Sequence, residues 1–444
     1  MQYNIIYVAC VNFMKKVAIV GGGVLGLSLA YFLSNKQIQV DIIEKNVDVG
    51  GLASGFRVEG SYLERYYHHI FKSDTEIQKL FNDLVIGKSL HWIKSNAGMF
   101  YNNNSYDFST SLDLLKFSPV SFFGRIRAGL VSMFLLRAKD YKKFENISAI
   151  DWCNKYYGKE FTNIIWKQLL LAKFGNEYYD KISMAWLWTR VHDRSSSRKG
   201  IMHEYLGYPD GSFKIFIDAL KQSVKSKGCN IYLGSEVIKH NIYNEKHQIL
   251  IRTPNGELKN KYDSVIVTGT PISFLNTFSI GKKYKEKLLG VKYLGALCCV
   301  LELNQPFTKY YWLNIADPKA PFTAVVEHTN FVDKSLFANK SILYIGKYLK
   351  SSDRLFNLSK SELLDLNIEY LKKINKNFDK SWIINEYYFK SEYAQHIVPV
   401  GYKPFDYATG VKGLYYANFS QVYPHDRGMN YAIEQAKYLS ELLF

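Results

Sequence analysis

The chain has 444 residues, of which 47% are hydrophobic and 22% charged, and it carries a formal net charge of +17. This composition excludes a disordered chain and supplies enough apolar side chains for two domains, each with its own core. The five cysteines include no Cys-x-x-Cys pair. This pattern argues against a disulfide framework or a zinc site and predicts a reducing, cytoplasmic location.

The basic surplus favours anionic partners. The sequence has no zinc-finger spacing, recognition helix or RNA-binding motif, so we expect no nucleic acid partner. We expect a small-molecule substrate, and the charge allows an anionic or lipid-linked one and peripheral contact with the inner face of a membrane. No apolar stretch reaches the length of a transmembrane helix. Residues 1–13 lack the basic start of a signal peptide and are predicted to be an extension with little structural role.

A dinucleotide-binding βαβ unit is predicted near the N-terminus. Residues 17–20 form a short apolar run that leads into a glycine-rich turn, and an apolar helical pattern follows over residues 27–33. A second apolar run, residues 40–43, ends at Glu44. Strand, glycine turn, helix, strand and terminal acid thus occur in the order that such a unit requires.

The residues of this motif have distinct expected roles. Gly21 permits the tight turn, Gly23 lets the backbone approach a pyrophosphate, and Gly26 lets helix and strand pack closely. The helix N-terminus supplies free N–H groups for the phosphates. Glu44 is placed to accept hydrogen bonds from a ribose hydroxyl. The alternative is a glycine turn in an α/β domain with an empty site.

A glycine doublet distinguishes this chain from NAD-dependent enzymes, which have no general need for one here. Gly50 and Gly51 begin six residues after Glu44 and lead to Ser54. With this doublet the chain resembles the flavoprotein superfamily of amine oxidases, protoporphyrinogen oxidase, phytoene desaturases and UDP-galactopyranose mutase. The resemblance implies that FAD is the cofactor and that the doublet runs beside its diphosphate and ribityl chain.

The C-terminal part of the chain resembles the same superfamily. Residues 414–418 are typical of a strand, residues 419–427 of a loop, and a last helix begins around Gly428, Met429 and Asn430. The resemblance implies that this helix points its positive end at the pyrimidine edge of the flavin. No cysteine lies near the C-terminus, so we expect FAD to be bound non-covalently.

The element pattern and the resemblance predict an α/β fold with interleaved domains. A Rossmann-like FAD-binding domain is expected over residues 14–95, 205–285 and 405–444. A substrate domain of antiparallel sheet plus helices is expected over residues 96–204 and 286–404. In the superfamily a strand at the position of Val237 passes the adenine.

Further elements are predicted from periodicity and turn residues. Helices are expected over residues 112–116, 128–136, 161–174 and 213–225, a turn cluster over 207–212, and strands over 230–233, 236–243, 248–252, 264–269, 296–303, 324–327 and 342–348. The region from Ser121 to Lys143 is apolar with basic flanks. It could lie on an anionic membrane, but burial of its helix is the favoured interpretation.

The candidate catalytic residues are His68, His69 and Arg427. The histidines follow the glycine doublet and point to opposite faces if the segment is extended, so one of them could face the isoalloxazine. The alternative is a structural histidine bonded to backbone. Arg427 could neutralise a substrate phosphate or the flavin, but an ion pair with Asp426 is favoured.

We therefore expect an FAD-dependent oxidoreductase that removes hydride from an unidentified small molecule. Two alternatives stay open: a flavin-dependent NDP-sugar pyranose/furanose mutase, and a non-catalytic scaffold protein that contains FAD. The stretch after Tyr67 lacks the glycine-proline-histidine run that is usual in the mutases. The scaffold would need the FAD motifs but no open pocket at the flavin.

Overall fold

A computed structural model describes residues 15–198 and 203–443. The predicted extension over residues 1–13 lies outside these ranges. The strands are β1 Lys16–Val20, β2 Gln39–Ile43, β3 Gly55–Val58, β4 Ser61–Glu64, β5 Leu90–Lys94, β6 Ala97–Tyr101, β7 Asn104–Asp107, β8 Tyr205–Pro209, β9 Asn230–Tyr232, β10 Glu236–Tyr243, β11 Lys246–Thr253, β12 Gly256–Tyr262, β13 Ser264–Val267, β14 Tyr293–Leu303, β15 Trp312–Ile315, β16 Ala324–Glu327, β17 Ser341–Leu349, β18 Ile383–His396 and β19 Leu414–Tyr416.

The helices pack on both faces of two large sheets. They are α1 Val24–Asn35, α2 Thr75–Asp83, α3 Ser111–Lys116, α4 Phe122–Arg137, α5 Ala149–Tyr156, α6 Lys159–Phe161, α7 Lys167–Tyr178, α8 Met184–Ser196, α9 Lys214–Ser226, α10 Pro271–Thr277, α11 Lys282–Gly290, α12 Arg354–Asn357, α13 Lys360–Ile374 and α14 Met429–Leu443. A π-helical turn over Thr162–Trp166 joins α6 to α7.

The first sheet is parallel and has the order β19-β13-β1-β2-β9. Val17 and Ile19 face α1, α9 and α14, whereas Ala18 between them faces the antiparallel β10-β11-β12 layer. A strand that is buried on both faces needs a continuous apolar run, which is the pattern of β1. The carboxyl ends of β1 and β2 meet at one edge of this sheet, where Glu44 follows β2.

The second sheet has the order β18-β14-β17-β16-β15-β6-β7 and is antiparallel except for the β15–β6 pair. Its strands come from both segments that were assigned to the substrate domain. One face packs against a helical layer that includes α7 and α8, and the other packs against α13. The α/β fold class with a parallel sheet, antiparallel sheets and helices is confirmed. The exact domain bounds stay a prediction.

Two expectations are wrong in detail. The turn cluster over 207–212 begins inside a strand, because β8 (Tyr205–Pro209) pairs antiparallel with β5. The helix that was expected to be buried is α4 (Phe122–Arg137), and it buries only Ala128 and Leu135. Its remaining apolar side chains are not needed by the core, since the layer beneath is already filled by α5 and α8.

A buried carboxylate ties the parallel sheet to its neighbours. Asp41 in β2 is fully buried and accepts hydrogen bonds from the Tyr262 hydroxyl at 2.8 Å and the Asn230 amide at 2.7 Å. The ammonium of Lys16 lies 3.0 Å from the same carboxylate. One charged group therefore links β1, β2, β9 and β12, and its removal would leave the buried hydroxyl of Tyr262 without its acceptor.

Asp41→Ala is expected to lower the free energy of unfolding by about 3 kcal/mol, because it leaves the buried Tyr262 hydroxyl without its acceptor and removes the ion pair with Lys16. Urea unfolding followed by far-UV circular dichroism measures the change. The matched control is Asp406→Ala at an exposed ion pair with Lys287, where the N–O distance is 3.8 Å. The control should change stability by less than about 1 kcal/mol. Equal effects of the two substitutions would contradict a special role for Asp41.

Candidate functional site

The glycine turn after β1 and the glycine doublet lie against each other. Gly23 and Gly50 form a parallel bridge, and the N–H of Gly50 donates to the carbonyl oxygen of Gly22 at 2.8 Å. Gly50 and Gly51 have φ angles of 116° and 59°, in the left-handed region that strains other residues. The two segments that are predicted to bind the FAD diphosphate thus form one glycine-lined surface.

Gly26 lies where α1 passes closest to the turn after β1. A Cβ atom at this position would lie 2.0 Å from the carbonyl oxygen of Gly21 and 3.2 Å from the side chain of Ile19. No side chain fits there unless the helix moves away from the strand. This contact agrees with the close helix–strand packing for which Gly26 was singled out.

Glu44 is held by the glycine turn. Its Oε2 accepts a hydrogen bond from the N–H of Gly22 at 2.6 Å, and its Oε1 accepts from the backbone and amide N–H groups of Asn46 at 2.8 and 2.6 Å. The carboxylate is therefore fixed in orientation beside the glycine surface. An ionised carboxylate has about four acceptor positions, so the predicted bond from a ribose hydroxyl is still open to it.

Ser54 and Val237 border the same region. The N–H of Ser54 donates to the carbonyl oxygen of Gly51 at 3.1 Å, which closes the turn that contains the doublet. Val237 is buried in β10, two residues after Ser235, whose N–H donates to the carbonyl oxygen of Glu44 at 2.8 Å. The strand predicted to pass the adenine therefore starts next to the acid predicted to bind the ribose.

Helix α14 begins at Met429, directly after Gly428, whose carbonyl oxygen accepts from the N–H of Ala432 at 3.1 Å. The Asn430 side chain is committed elsewhere. Its Oδ1 accepts from the N–H groups of Glu76 and Ile77 at 2.9 and 3.1 Å and so caps α2. A side-chain contact of Asn430 with flavin would therefore have to use its Nδ2 group rather than Oδ1.

The two histidines have different surroundings, as an extended segment predicts. His68 Nδ1 lies 2.5 Å from the carbonyl oxygen of Tyr66, and His69 Nδ1 lies 3.1 Å from the hydroxyl of Tyr311. Burial lowers the pKa of His68 to about 4, although its bond to the Tyr66 carbonyl opposes the shift. Burial, reinforced by Arg194, lowers the pKa of His69 to about 3. Both imidazoles are therefore neutral at pH 7.

Arg427 does not form the expected ion pair with Asp426. Among the described residues it has no carboxylate oxygen within 4.0 Å. Its Nη2 donates to the hydroxyl of Tyr348 at 2.6 Å, its guanidinium lies 5.3 Å from the centroid of that ring, and its buried Nε has no hydrogen-bond partner in the described chain. The guanidinium is therefore available to an anion.

Asp426 is instead paired with two cationic side chains from the helical layer. It forms a short ion pair with Lys173 of α7 and lies 3.9 Å from Arg190 of α8. Burial opposes ionisation of Asp426, but Lys173, Arg190 and Arg427 together hold its pKa below the usual range. Burial lowers the pKa of Lys173 to about 8, although Asp426 counteracts this. Because Asp426 is already paired with two cations, Arg427 has no carboxylate oxygen within 4.0 Å in the described chain.

Sequence reasoning missed Lys173 and Tyr348. The signal for Lys173 was its place in an otherwise apolar stretch of α7, between Leu170 and Phe174, which are both fully buried. A lysine at such a position needs a buried partner. The partner lies 253 residues away in the chain, so periodicity within the helix cannot identify it.

A cavity of about 430 Å³ lies between α7 and the second sheet. Its lining includes Leu171, Phe174, Leu294, Ile315, Thr323 and Tyr348. Tyr348 connects the cavity to Arg427, because its hydroxyl accepts the hydrogen bond from that guanidinium. The cavity wall is therefore linked to the loop that precedes α14, where the flavin edge is expected.

The glycine surface fits the diphosphate of FAD. A Cβ atom at Gly23 would meet no described protein atom closer than 3.9 Å, so the space in front of this backbone is open. No side chain in the described chain caps α1, and its first turn has no acidic residue, which leaves N–H groups for phosphate oxygens. The individual contacts of the predicted cofactor residues stay predictions.

Comparisons with known proteins place the chain among flavoproteins. The sequence model of the flavin-containing amine oxidoreductase family matches residues 26–438. A coproporphyrinogen III oxidase from Staphylococcus aureus (strain NCTC 8325 / PS 47) is 27% identical over an alignment of 299 positions that covers 60% of this chain. The match spans 62% of that relative, less than two thirds of its length.

Solved structures of similar fold cover nearly the whole chain. An oxidoreductase from Methanosarcina mazei has a TM-score of 0.75 at 16% identity and covers 96% of this chain and 100% of its own. A putrescine oxidase bound to putrescine has a TM-score of 0.70 at 13% identity, and the match covers 97% of this chain and 98% of the oxidase. A reduced UDP-galactopyranose mutase has a TM-score of 0.71 at 14% identity, and the match covers 96% of this chain and 95% of the mutase. At these identities the likeness concerns the fold.

Gly23→Ala should separate cofactor binding from folding. The new methyl group has room in the protein, and the φ of Gly23 is −70°, so stability should not change. Affinity for FAD should fall at least about tenfold, because the methyl group occupies the space of the pyrophosphate. Titration of apoprotein with FAD, followed by flavin fluorescence, measures this. Gly290→Ala, with nothing within 4 Å, is the control. Unchanged FAD affinity in Gly23→Ala would contradict the assignment.

The two neutral histidines predict a specific dependence of stability on pH. Their folded pKa values of about 4 and 3 lie below the unfolded value of 6.5, so the unfolded chain binds more protons in this window. The contribution of these two histidines to the free energy of unfolding should therefore fall as the pH decreases from 6.5 towards 4. His68→Gln combined with His69→Gln should flatten this slope in urea unfolding series. A double variant with the wild-type slope would show that burial does not hold these imidazoles neutral.

Proposed function

The chain belongs to the flavin-containing amine oxidoreductase family, and from this premise we propose that it is an FAD-dependent oxidoreductase that removes hydride from a small molecule with an acidic group. The predicted superfamily and flavin cofactor are confirmed at the level of the family. The acidic group of the substrate is inferred from Arg427. This side chain is a guanidinium without a carboxylate partner in the described chain, and it is hydrogen-bonded to the wall of the cavity.

Bound FAD supplies the hydride acceptor. The glycine surface and Glu44 hold its diphosphate and ribose in this proposal, and the start of α14 favours negative charge at the pyrimidine edge. Arg427 binds the acidic group of the substrate and so holds the reacting C–H bond in a single orientation. The neutral histidines contribute hydrogen bonds without a positive charge that would oppose loss of hydride.

Aromatic side chains around Tyr67 support exclusion of water from the proposed substrate site. The ring of Tyr67 packs edge-on against Trp312 with 4.8 Å between centroids, and against Tyr344 with 6.2 Å. His69 packs against the same tryptophan at 5.9 Å. Rigid aromatic walls keep an apolar ring of the substrate in place and strengthen the interaction of Arg427 with its acidic group.

The non-catalytic scaffold would need the FAD motifs but no substrate cavity, so the cavity whose wall is hydrogen-bonded to Arg427 favours the enzyme. The mutase stays the second candidate, because it uses the same fold and would place its sugar diphosphate on Arg427. The acidic group belongs either to a free small molecule or to the head group of a lipid-linked substrate. A lipid-linked substrate would reach the protein at a bilayer, so we also propose peripheral contact with a membrane.

Anaerobic mixing of the oxidised protein with candidate donors tests the reaction. The panel contains coproporphyrinogen III, putrescine and UDP-galactopyranose, after the relatives and neighbours described above. An acid-bearing donor should bleach the flavin absorbance in a single turnover without oxygen. If no donor bleaches the flavin, and only pre-reduced protein interconverts pyranose and furanose forms, the mutase replaces this proposal.

Arg427→Met is expected to raise the KM of the active donor by about 10- to 100-fold, because a charge-assisted hydrogen bond is lost. FAD occupancy, measured by absorbance, should stay complete. Lys350→Met is the control, since Lys350 lies at the outer part of the cavity and pairs with Glu177. If both substitutions raise KM equally, the anion site at Arg427 is refuted.

A further inference from the structure

One side of α4 presents a strip of large apolar side chains to solvent. Six residues are between 39% and 81% exposed: Phe122, Phe123, Ile126, Leu130, Met133 and Phe134. At about 100° per residue they fall within one arc of about 120° on the helix. The opposite side carries Ala128 and Leu135, which are fully buried against the helical layer. We call these six residues the α4 strip.

The α4 strip is continuous and large. From Phe122 to Phe134 it extends about 18 Å at the usual helical rise. Helix α3 packs against α4 and adds the exposed Leu112 and Leu115. Arg125 fixes the two helices together by donating to the carbonyl oxygen of Leu115. Exposed apolar surface of this extent, with three phenylalanines, marks a place where something else binds.

The chain around the α4 strip is strongly basic. Residues 116–143 contain seven basic residues, namely Lys116, Arg125, Arg127, Arg137, Lys139, Lys142 and Lys143, and one acidic residue, Asp140. Seven positive charges and one negative charge give a local net charge of +6. An apolar face with basic flanks matches a surface that is apolar inside and negatively charged at its boundary.

We propose that the α4 strip docks this protein on an anionic lipid bilayer, with α4 lying in the plane of the interface. The phenylalanines and Leu130 enter the boundary between head groups and acyl chains, and the basic flanks contact the phosphates. No helix in the described ranges is long and apolar enough to cross a membrane. This inference rests on the proposed membrane contact and is independent of the flavin chemistry.

A second copy of the chain is the competing occupant of the α4 strip. In a symmetric pair the same patch faces itself, so a local charge of +6 would lie against another of +6. Like charges in such an interface are repulsive, whereas the phosphates of a bilayer neutralise them. The charge pattern therefore favours lipid over self-association.

Flotation of the full-length holoprotein with vesicles tests the proposal. The vesicles consist of phosphatidylcholine with phosphatidylglycerol, or of phosphatidylcholine alone. The variant Phe123→Ser, Leu130→Ser, Phe134→Ser removes the centre of the α4 strip, and these exposed side chains are not part of the core. The control variant Val47→Ser, Ile242→Ser removes exposed apolar side chains elsewhere. Flavin absorbance and thermal unfolding show that every sample is folded and loaded.

The wild type and the control should float with anionic vesicles, less so at high salt, and weakly with phosphatidylcholine alone. The triple variant should lose at least about tenfold in partitioning. Absence of wild-type binding to anionic vesicles would overturn the proposal, as would equal binding of the triple variant. A wild-type dimer in light scattering that becomes a monomer in the triple variant would show that a second copy covers the strip. None of these outcomes changes the flavin bleaching that tests the reaction.

Discussion

The close approach of α1 to the turn after β1 is the constraint on which this structure depends. At Gly26 only a hydrogen atom fits, because a methyl group would lie 2.0 Å from the carbonyl oxygen of Gly21. This contact aims the N-terminus of α1 at the glycine surface and lets Gly23 meet Gly50. Glu44 then fixes the turn through the N–H of Gly22. A dinucleotide site with unobstructed backbone N–H groups follows from this one steric requirement.

The interleaved chain path brings the rest of the site to that surface. The second sheet and its helices are inserted between parts of the parallel sheet, so α7, β17 and the loop before α14 converge although they are far apart in sequence. Asp426 is shared by Lys173 and Arg190, which removes it as a partner for Arg427. The resulting division of charges leaves the guanidinium of Arg427 without a carboxylate oxygen within 4.0 Å in the described chain, and its hydrogen bond to Tyr348 connects it to the cavity wall.

The limited space beneath α4 explains the apolar outer surface of the helical layer. The layer beneath α4 is filled by aromatic side chains such as Trp152 and Trp186, which are themselves buried. Helix α4 has apolar side chains on two opposite sides and can bury only one of them there, and the other side remains for an external partner. Apolar content in a sequence therefore does not by itself say whether a helix is in the core.

The sequence by itself determined the βαβ unit, the glycine doublet, the flavin class and the strands of the parallel sheet, because these depend on short-range patterns of apolar residues and glycine. In the second sheet it identified only β14, β16 and β17 and missed β6, β7, β15 and β18. It also marked His68, His69 and Arg427 as candidates, although their roles stay predictions. Only the tertiary structure decided that Asp426 pairs with Lys173, that Asn430 caps α2, and that α4 exposes its strip. These outcomes depend on residues up to 354 positions apart, whose geometry no local pattern encodes.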